Sequence, residues 1–223
     1  MNVPNSLSLT RICLIPLFVA AYFLPYEWGV YAAIAIFLIC CFTDFLDGFI
    51  ARKYNMVTDL GKLLDPIADK ILICAALFCV VATNPLQYFS NAFVAMPNNF
   101  ADNFGLILLT VGSILILARE LLISAVRMIA ASKGVVVQAN IFGKIKTVMQ
   151  DVSLPLLLLM NAQSFLVDSE FYIEPTSRMK AFDVIWFVAV IVFGLAVIMT
   201  IVSGVIYLIQ NRKVFAEDKK DYK

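Results

Sequence analysis

The chain has 223 residues, 62% of them hydrophobic and 15% charged, with a formal net charge of +1. A mean hydropathy of +0.90 excludes an ordinary soluble domain. The balanced charge and the lack of a basic tract give no footing for nucleic acid, and a chain without histidine or a Cys-x-x-Cys pair lacks the usual zinc ligand sets.

Several apolar stretches exceed the roughly 18 residues that make a transmembrane helix credible. In chain order they predict six spans, at 12–25, 29–46, 63–83, 104–126, 148–167 and 181–208. The expected fold is therefore all-α: a polytopic membrane protein of six transmembrane helices preceded by a short N-terminal juxtamembrane helix. The first run lacks a small-residue cleavage site and is followed by five more, so it reads as an anchor and not a signal peptide. Tyr26 and Trp28, in the turn after it, stand where interfacial aromatics belong. The third run carries Asp65, Asp69 and Lys70 in its first turns, which shortens its apolar part. The five cysteines, Cys13, Cys40, Cys41, Cys74 and Cys79, all lie in apolar runs and read as small buried hydrophobes. One membrane domain is expected over 1–210. The tail at 211–223 mixes both charge signs and reads as a solvated end.

Basic residues set the orientation, because Lys and Arg concentrate in cytoplasmic connections. All 17 fall at Arg11, Arg52 to Lys70, Arg119 to Lys146, Arg178 with Lys180, and the tail from Arg212. Alternate connections are thus basic. Both termini and the connections at 47–62 and 127–146 should be cytoplasmic, in the cell membrane. The turn at 25–28 and the loops near 84–103 and 168–180 should face outward.

Carboxylates at the ends of apolar runs are costly to bury and mark function. Asp44, Asp47, Gly48, Ala51 and Arg52 recur at helical spacing as one stripe, and Gly61, Asp65 and Asp69 form a second stripe on the next helix. The short link between them suggests antiparallel neighbours, so four carboxylates should converge at the cytoplasmic end. Mg²⁺ and Mn²⁺ take such oxygen ligands. Two ions about 3.5–4 Å apart would suit an in-line phosphoryl displacement. Gly48, Ala51 and Gly61 remove bulk along the stripes, and Arg52 offers a fork for phosphate. Without histidine, a general base would be one of the aspartates. An isolated Asp-x-x-Asp at a helix end is usually a solvated cap, but a cap does not explain four aspartates, two glycines, an alanine and an arginine in joint register.

Asp-x-x-Asp-Gly-x-x-Ala-Arg, eight residues, then Gly-x-x-x-Asp-x-x-x-Asp resembles, position for position, the signature of the CDP-alcohol phosphatidyltransferase family. The resemblance extends over most of the chain and implies six transmembrane helices, cytoplasmic termini and a homodimer. It further implies that Asp44, Asp47 and Asp65 hold two divalent ions, with Asp69 as a further ligand and the general base. Gly48, Ala51, Arg52 and Gly61 would contact the CDP part of a CDP-diacylglycerol donor, with Thr58 near the nucleotide.

The signature leaves the acceptor alcohol open. Arg119 and Arg127 lie eight apart on one face of the fourth span, and Lys144 and Lys146 open the fifth. Snorkelling at the membrane surface is the plain explanation of such cations. Arg119, however, lies well up its span beside Glu120, which suits an anionic partner such as an acceptor phosphate. Ala118-Arg119-Glu120, Arg127 and Gly143-Lys144-Ile145-Lys146-Thr147 are similar to the phosphatidylglycerophosphate synthases of bacteria. So is the opening from Asn2 to Arg11, whose Asn5 is placed at the donor by the same resemblance. The implied reaction is direct displacement. Asp69 takes the proton of the 1-hydroxyl of glycerol 3-phosphate, the oxygen attacks the lipid-side phosphorus of CDP-diacylglycerol, and CMP leaves. Rival readings are a cardiolipin synthase of the same family, with phosphatidylglycerol as acceptor, and a phosphatidylinositol-phosphate or phosphatidylserine synthase. In a different class stands a divalent-cation transporter, whose acids would sit near the midplane and with repeat symmetry.

Overall fold

A computed structural model of the chain describes residues 3–53, 59–84, 98–132, 141–168 and 177–212, and all the regular structure among them is α-helical. The helices are α1 (Val3–Tyr22), α2 (Glu27–Lys53), α3 (Asp59–Thr83), α4 (Asn98–Ser132), α5 (Ile141–Asp168) and α6 (Ser177–Gln210). Stretches of α2, α4 and α6, at Glu27–Asp44, Gly105–Ala130 and Phe187–Gln210, are long and apolar enough to cross a membrane; α1 adds a shorter apolar run at Ser8–Tyr22. The rest of the predicted six spans falls on α3 and α5, whose polar first turns dilute their apolar character.

The helices overrun the apolar runs at their polar ends. α2 continues to Lys53, and α4 begins at Asn98, inside the segment expected as an outer loop. The separate juxtamembrane helix does not form: residues 3–22 are one helix. No glycine interrupts that stretch, Pro4 is tolerated in a first turn, and a bundled apolar helix accommodates the internal Pro16. At the other end of the scale, α3 stops sharply at Thr83. Asn84 follows with a φ of 40°, and its N–H donates to the carbonyl of Val80, a left-handed cap that asparagine tolerates better than most residues.

Contacts between helix ends show that the chain runs up and down. Arg11 near the start of α1 pairs with Asp44 near the end of α2, whereas Tyr22 and Thr83, at the ends of α1 and α3, share a 3.1 Å hydrogen bond. At the first of these bundle ends Lys146 of α5 meets Glu120 of α4, and Arg119 meets Ser203 of α6. α1 packs broadly against both α2 and α3, α5 packs most extensively on α6, and α2 and α3 meet only sparingly.

The outer surface is largely apolar, and several polar side chains are buried among the apolar core residues. Phe42, Phe78, Ile107, Val148 and Ile198 project outward, while Ser8, Arg11, Ser113, Lys146, Gln150, Ser153, Thr200 and Ser203 are buried. That arrangement is what a lipid solvent requires, since it rewards apolar surface and leaves polar groups to find partners within the bundle. The chain is an integral membrane protein. Phe18, Phe37, Leu77, Leu109, Leu154, Leu158 and Phe193 form the buried core, with Phe18 and Phe37 ring centroids 6.0 Å apart. Tyr26 and Trp28 stack on the surface at 5.8 Å, as expected of an interfacial pair. Of the cysteines, Cys40 and Cys79 are buried, Cys41 and Cys74 partly so, and Cys13 is exposed on the apolar outer surface.

Gly29 lets α2 start directly beside the end of α1: a Cβ there would lie 2.6 Å from the Ala21 carbonyl oxygen, a backbone atom that cannot step aside. At Gly194 the same atom would meet nothing within 4 Å. Gly29→Ala should therefore destabilise by about 1–3 kcal/mol, as overpacking does. Gly194→Ala should be neutral or stabilising by up to about 1 kcal/mol. Thermal unfolding of both variants in detergent checks the contrast.

Candidate active site

Because the helices alternate, the end of α2, the start of α3, the end of α4, the start of α5 and the end of α6 meet at one end of the bundle, where the start of α1 joins them. α2 carries Asp44, Asp47, Gly48, Ala51 and Arg52 in its last turns, and α3 carries Gly61, Asp65 and Asp69 in its first. Asn5 lies in the first turns of α1. For Asn5, Asp47, Gly48, Ala51, Arg52, Gly61 and Asp65 the description stops at the helix backbone, and Thr58 lies outside the described residues.

The side chains of Asp44 and Asp69 are described. Arg11 is fully buried and donates from Nη1 to Asp44 Oδ1 at 2.6 Å, while the Asp44 side chain is itself 46% exposed. The arginine thus steadies one face of the carboxylate and leaves the remainder open. Asp69 is partly buried, and Asp44 on α2 and Asp151 on α5 both stand close enough to repel it. Among the described residues no group of three acidic or cysteine side chains is arranged to hold a metal ion. The donor chemistry nevertheless fits a hard divalent cation: the ligands on offer are all oxygen, they repel one another, and one of them is anchored.

Beside Asp69 opens a cavity of about 210 Å³. Arg119, Glu120 and Arg127 line it from α4, Lys144 and Thr147 from α5, and Ser203 and Tyr207 from α6. Glu120 accepts hydrogen bonds from two cations, Arg119 Nη1 at 3.3 Å and Lys146 Nζ. Arg119 also donates from Nη2 to Ser203 Oγ at 3.1 Å. It runs close past two glycines, where a Cβ at Gly204 would lie 3.3 Å from Arg119 Cγ, a tight contact, and one at Gly143 an ordinary 3.5 Å from Nη2. Arg127 lies over the Tyr207 ring, 5.8 Å from its centroid, a cation–π contact that orients an otherwise exposed guanidinium.

The cations expected to meet an acceptor phosphate therefore divide. Arg119, Arg127 and Lys144 line the cavity with Asp69, whereas Lys146 does not. Lys146 was expected near water and is instead 1% exposed. It falls on the inward face of α5 with Gln150 one turn on, and its ammonium meets Glu120 there. Burial pushes the Lys146 pKa below the ordinary lysine range, and the Glu120 carboxylate opposes that shift. Lys146 neutralises Glu120, which leaves Arg119 with an uncommitted share of positive charge facing the cavity.

Three features escaped the sequence reading. Asp151 sits one turn past Thr147 at the start of an apolar run, so the same cost-of-burial argument that picked out the other aspartates applied to it. Arg11 was legible as a cytoplasmic charge but not as the partner of Asp44, because that pair spans 33 positions. Ser203 and Tyr207 recur with Thr200 at i, i+3, i+7 spacing, a polar stripe in an apolar run that was the available signal.

The model of the CDP-alcohol phosphatidyltransferase family matches residues 1–202, and the chain belongs to that family. It is 33% identical over 222 residues to the CDP-diacylglycerol--glycerol-3-phosphate 3-phosphatidyltransferase of Bacillus subtilis strain 168, covering 94% of this chain and 95% of the relative. It is 36% identical over 159 residues to the protein of the same name from Escherichia coli strain K12, covering 70% of this chain and 76% of the relative.

Lys146→Met removes one cation from Glu120. Breaking a buried pair costs about 3–5 kcal/mol, and the remaining Arg119 contact should hold the loss near the lower end of that range. Glu120→Gln with Lys146→Met should recover part of it, because no uncompensated carboxylate is then buried. Unfolding of the single and double variants, measured side by side, tests the pairing.

Proposed function

We propose that this protein transfers the phosphatidyl group of CDP-diacylglycerol to the 1-hydroxyl of glycerol 3-phosphate, giving phosphatidylglycerophosphate and CMP. The family membership and the names of the relatives support the reaction class and the acceptor. The observation that carries the assignment is the cavity in which Arg119, Arg127 and Lys144 face Asp69. A phosphate seated among three cations puts the rest of a small phosphorylated alcohol within reach of the carboxylate that would deprotonate it. An acceptor without phosphate, such as serine or a neutral polyol, would leave those cations unmatched. A transporter reading loses support because Asp44, Asp69, Glu120 and Asp151 lie toward one end of the bundle and not at its middle.

Asp69 accepts the proton of the 1-hydroxyl. The freed oxygen forms a bond to the lipid-side phosphorus of the donor as the bond from that phosphorus to the CMP oxygen breaks. Asp44, Asp47, Asp65 and Asp69 would hold the two divalent ions, Mg²⁺ or Mn²⁺, of this metal-dependent family. When bound, such ions would supply charge neutralisation to the diphosphate. Gly48, Ala51, Arg52, Thr58, Gly61 and Asn5 would receive the donor. Arg119 and Arg127 take the acceptor phosphate, with Lys144 adding charge at the mouth. The reading also includes six membrane crossings in one domain over 1–210, termini and site on the cytoplasmic side of the cell membrane, and a homodimer. A site at that surface suits a donor with one lipid half and one water-soluble half.

CMP release from CDP-diacylglycerol by purified protein should require both glycerol 3-phosphate and a divalent ion, and should stop when chelator removes the metal. Turnover that persists in verified excess chelator would contradict the metal requirement. Asp69→Asn should abolish turnover and leave much of the donor binding, since the amide keeps the shape but cannot take the proton.

Arg119→Ala and Arg127→Ala should each raise KM for glycerol 3-phosphate about ten- to hundredfold, the loss of a charge-assisted contact worth roughly 1.5–3 kcal/mol. KM for CDP-diacylglycerol should change far less. Snorkelling cations would instead lower the yield of folded protein and leave its kinetics intact. Steady-state kinetics on both substrates, with yield recorded, separates the two.

A further inference from the structure

Tyr207 is 2% exposed yet lines the cavity beside Asp69. Its ring is fixed from both sides: Ile123 and Val126 bury it in a small apolar cluster separate from the main core, and the Arg127 guanidinium lies over it. Its hydroxyl is buried and has no hydrogen-bond partner among the described residues. A buried hydroxyl left unpaired is unfavourable in any protein, and a phenylalanine would fill the same space without that penalty. The ring explains the packing and the cation–π contact, but none of the described residues uses the oxygen.

We infer that Tyr207 is a specificity-determining residue that donates its Oη–H to the phosphate bound between Arg119 and Arg127. The proposal rests on the reading of this cavity as the acceptor site. Phosphate oxygens accept hydrogen bonds readily, and the other side-chain donors lining the cavity are the two guanidiniums and the Lys144 ammonium, charged groups that bind any anion, and the hydroxyls of Ser124, Thr147 and Ser203, which already donate to backbone carbonyls. A neutral donor on a clamped ring adds direction. It fixes where the phosphate sits relative to Asp69, and so which hydroxyl of the acceptor reaches the carboxylate. The unpaired state is then the resting state of a contact that substrate completes, comparable to other sites whose buried polar groups are matched only by the right ligand.

The test compares wild type with Tyr207→Phe, purified as the full chain, by steady-state kinetics on both substrates and by thermal unfolding without substrate. The variant should raise KM for glycerol 3-phosphate about tenfold, the size of one lost hydrogen bond. KM for CDP-diacylglycerol should be unchanged and the unfolding temperature should be no lower than wild type, because the deleted oxygen had no partner. Inorganic phosphate supplies an independent arm: its binding constant, measured by calorimetry, should weaken by a similar factor. An unchanged KM for glycerol 3-phosphate with unchanged phosphate binding would overturn the proposal. So would a fall in unfolding temperature with unaltered phosphate binding, which would make the hydroxyl structural. If wild type does not use glycerol 3-phosphate, the functional reading fails. The phosphate arm still decides the role of Tyr207: equal binding by both proteins refutes it, and weaker binding by the variant upholds it.

Discussion

Glu120 is shared by two cations at the polar end of a membrane bundle, and the rest of the site depends on that sharing. A lone Lys146 buried as deeply as this one would be expensive in such surroundings, so the carboxylate answers it. The same carboxylate touches Arg119 through one nitrogen, while Ser203 holds another. Arg119 and Lys146 both meet this carboxylate, and of the two Arg119 also lines the cavity. Arg127 and Lys144 line it as well. The proposed anion subsite is thus built from groups that would otherwise be a liability in lipid.

A second polar region lies beside the first and has the opposite sign. Asp44, Asp69 and Asp151 crowd together, with Arg11 bracing Asp44 from the buried side. Asp69 belongs to both regions, since it also lines the cavity of the cations. A base is useful only where it reaches both the proton it removes and the atom that will be attacked, so this shared position is the geometric core of the proposed reaction. The helices serve the arrangement by alternating direction, which gathers polar ends from all six at a single face of the bundle. Their outer surfaces stay apolar.

Much of this was legible in the sequence because it is local. Hydropathy marked the helices, and the spacing of Asp44, Asp47, Asp65 and Asp69 identified the acidic stripes without any tertiary knowledge. The basic residues of the cavity, Arg119, Arg127 and Lys144, were also legible, though grouped with Lys146. What the sequence left undetermined is which way each helix turns. Lys144 and Lys146 look alike in a basic stretch, but they stand on different faces of α5, so one opens to the cavity and the other is buried against Glu120. Arg11 with Asp44 and Arg119 with Ser203 join residues far apart in the chain, and no periodicity reports such a pair. The juxtamembrane helix expected ahead of the first span is instead continuous with it, because no residue between them stops a helix.

The account is tested most directly by competition among acceptors. Purified protein would be given CDP-diacylglycerol, a divalent ion, and glycerol 3-phosphate, phosphatidylglycerol, inositol phosphate and serine together at equal concentration, and the lipid products would be identified by mass. A site that pairs Asp69 with a phosphate-binding cavity should yield phosphatidylglycerophosphate as the dominant product. Cardiolipin, phosphatidylserine or an inositol lipid as the dominant product would contradict it.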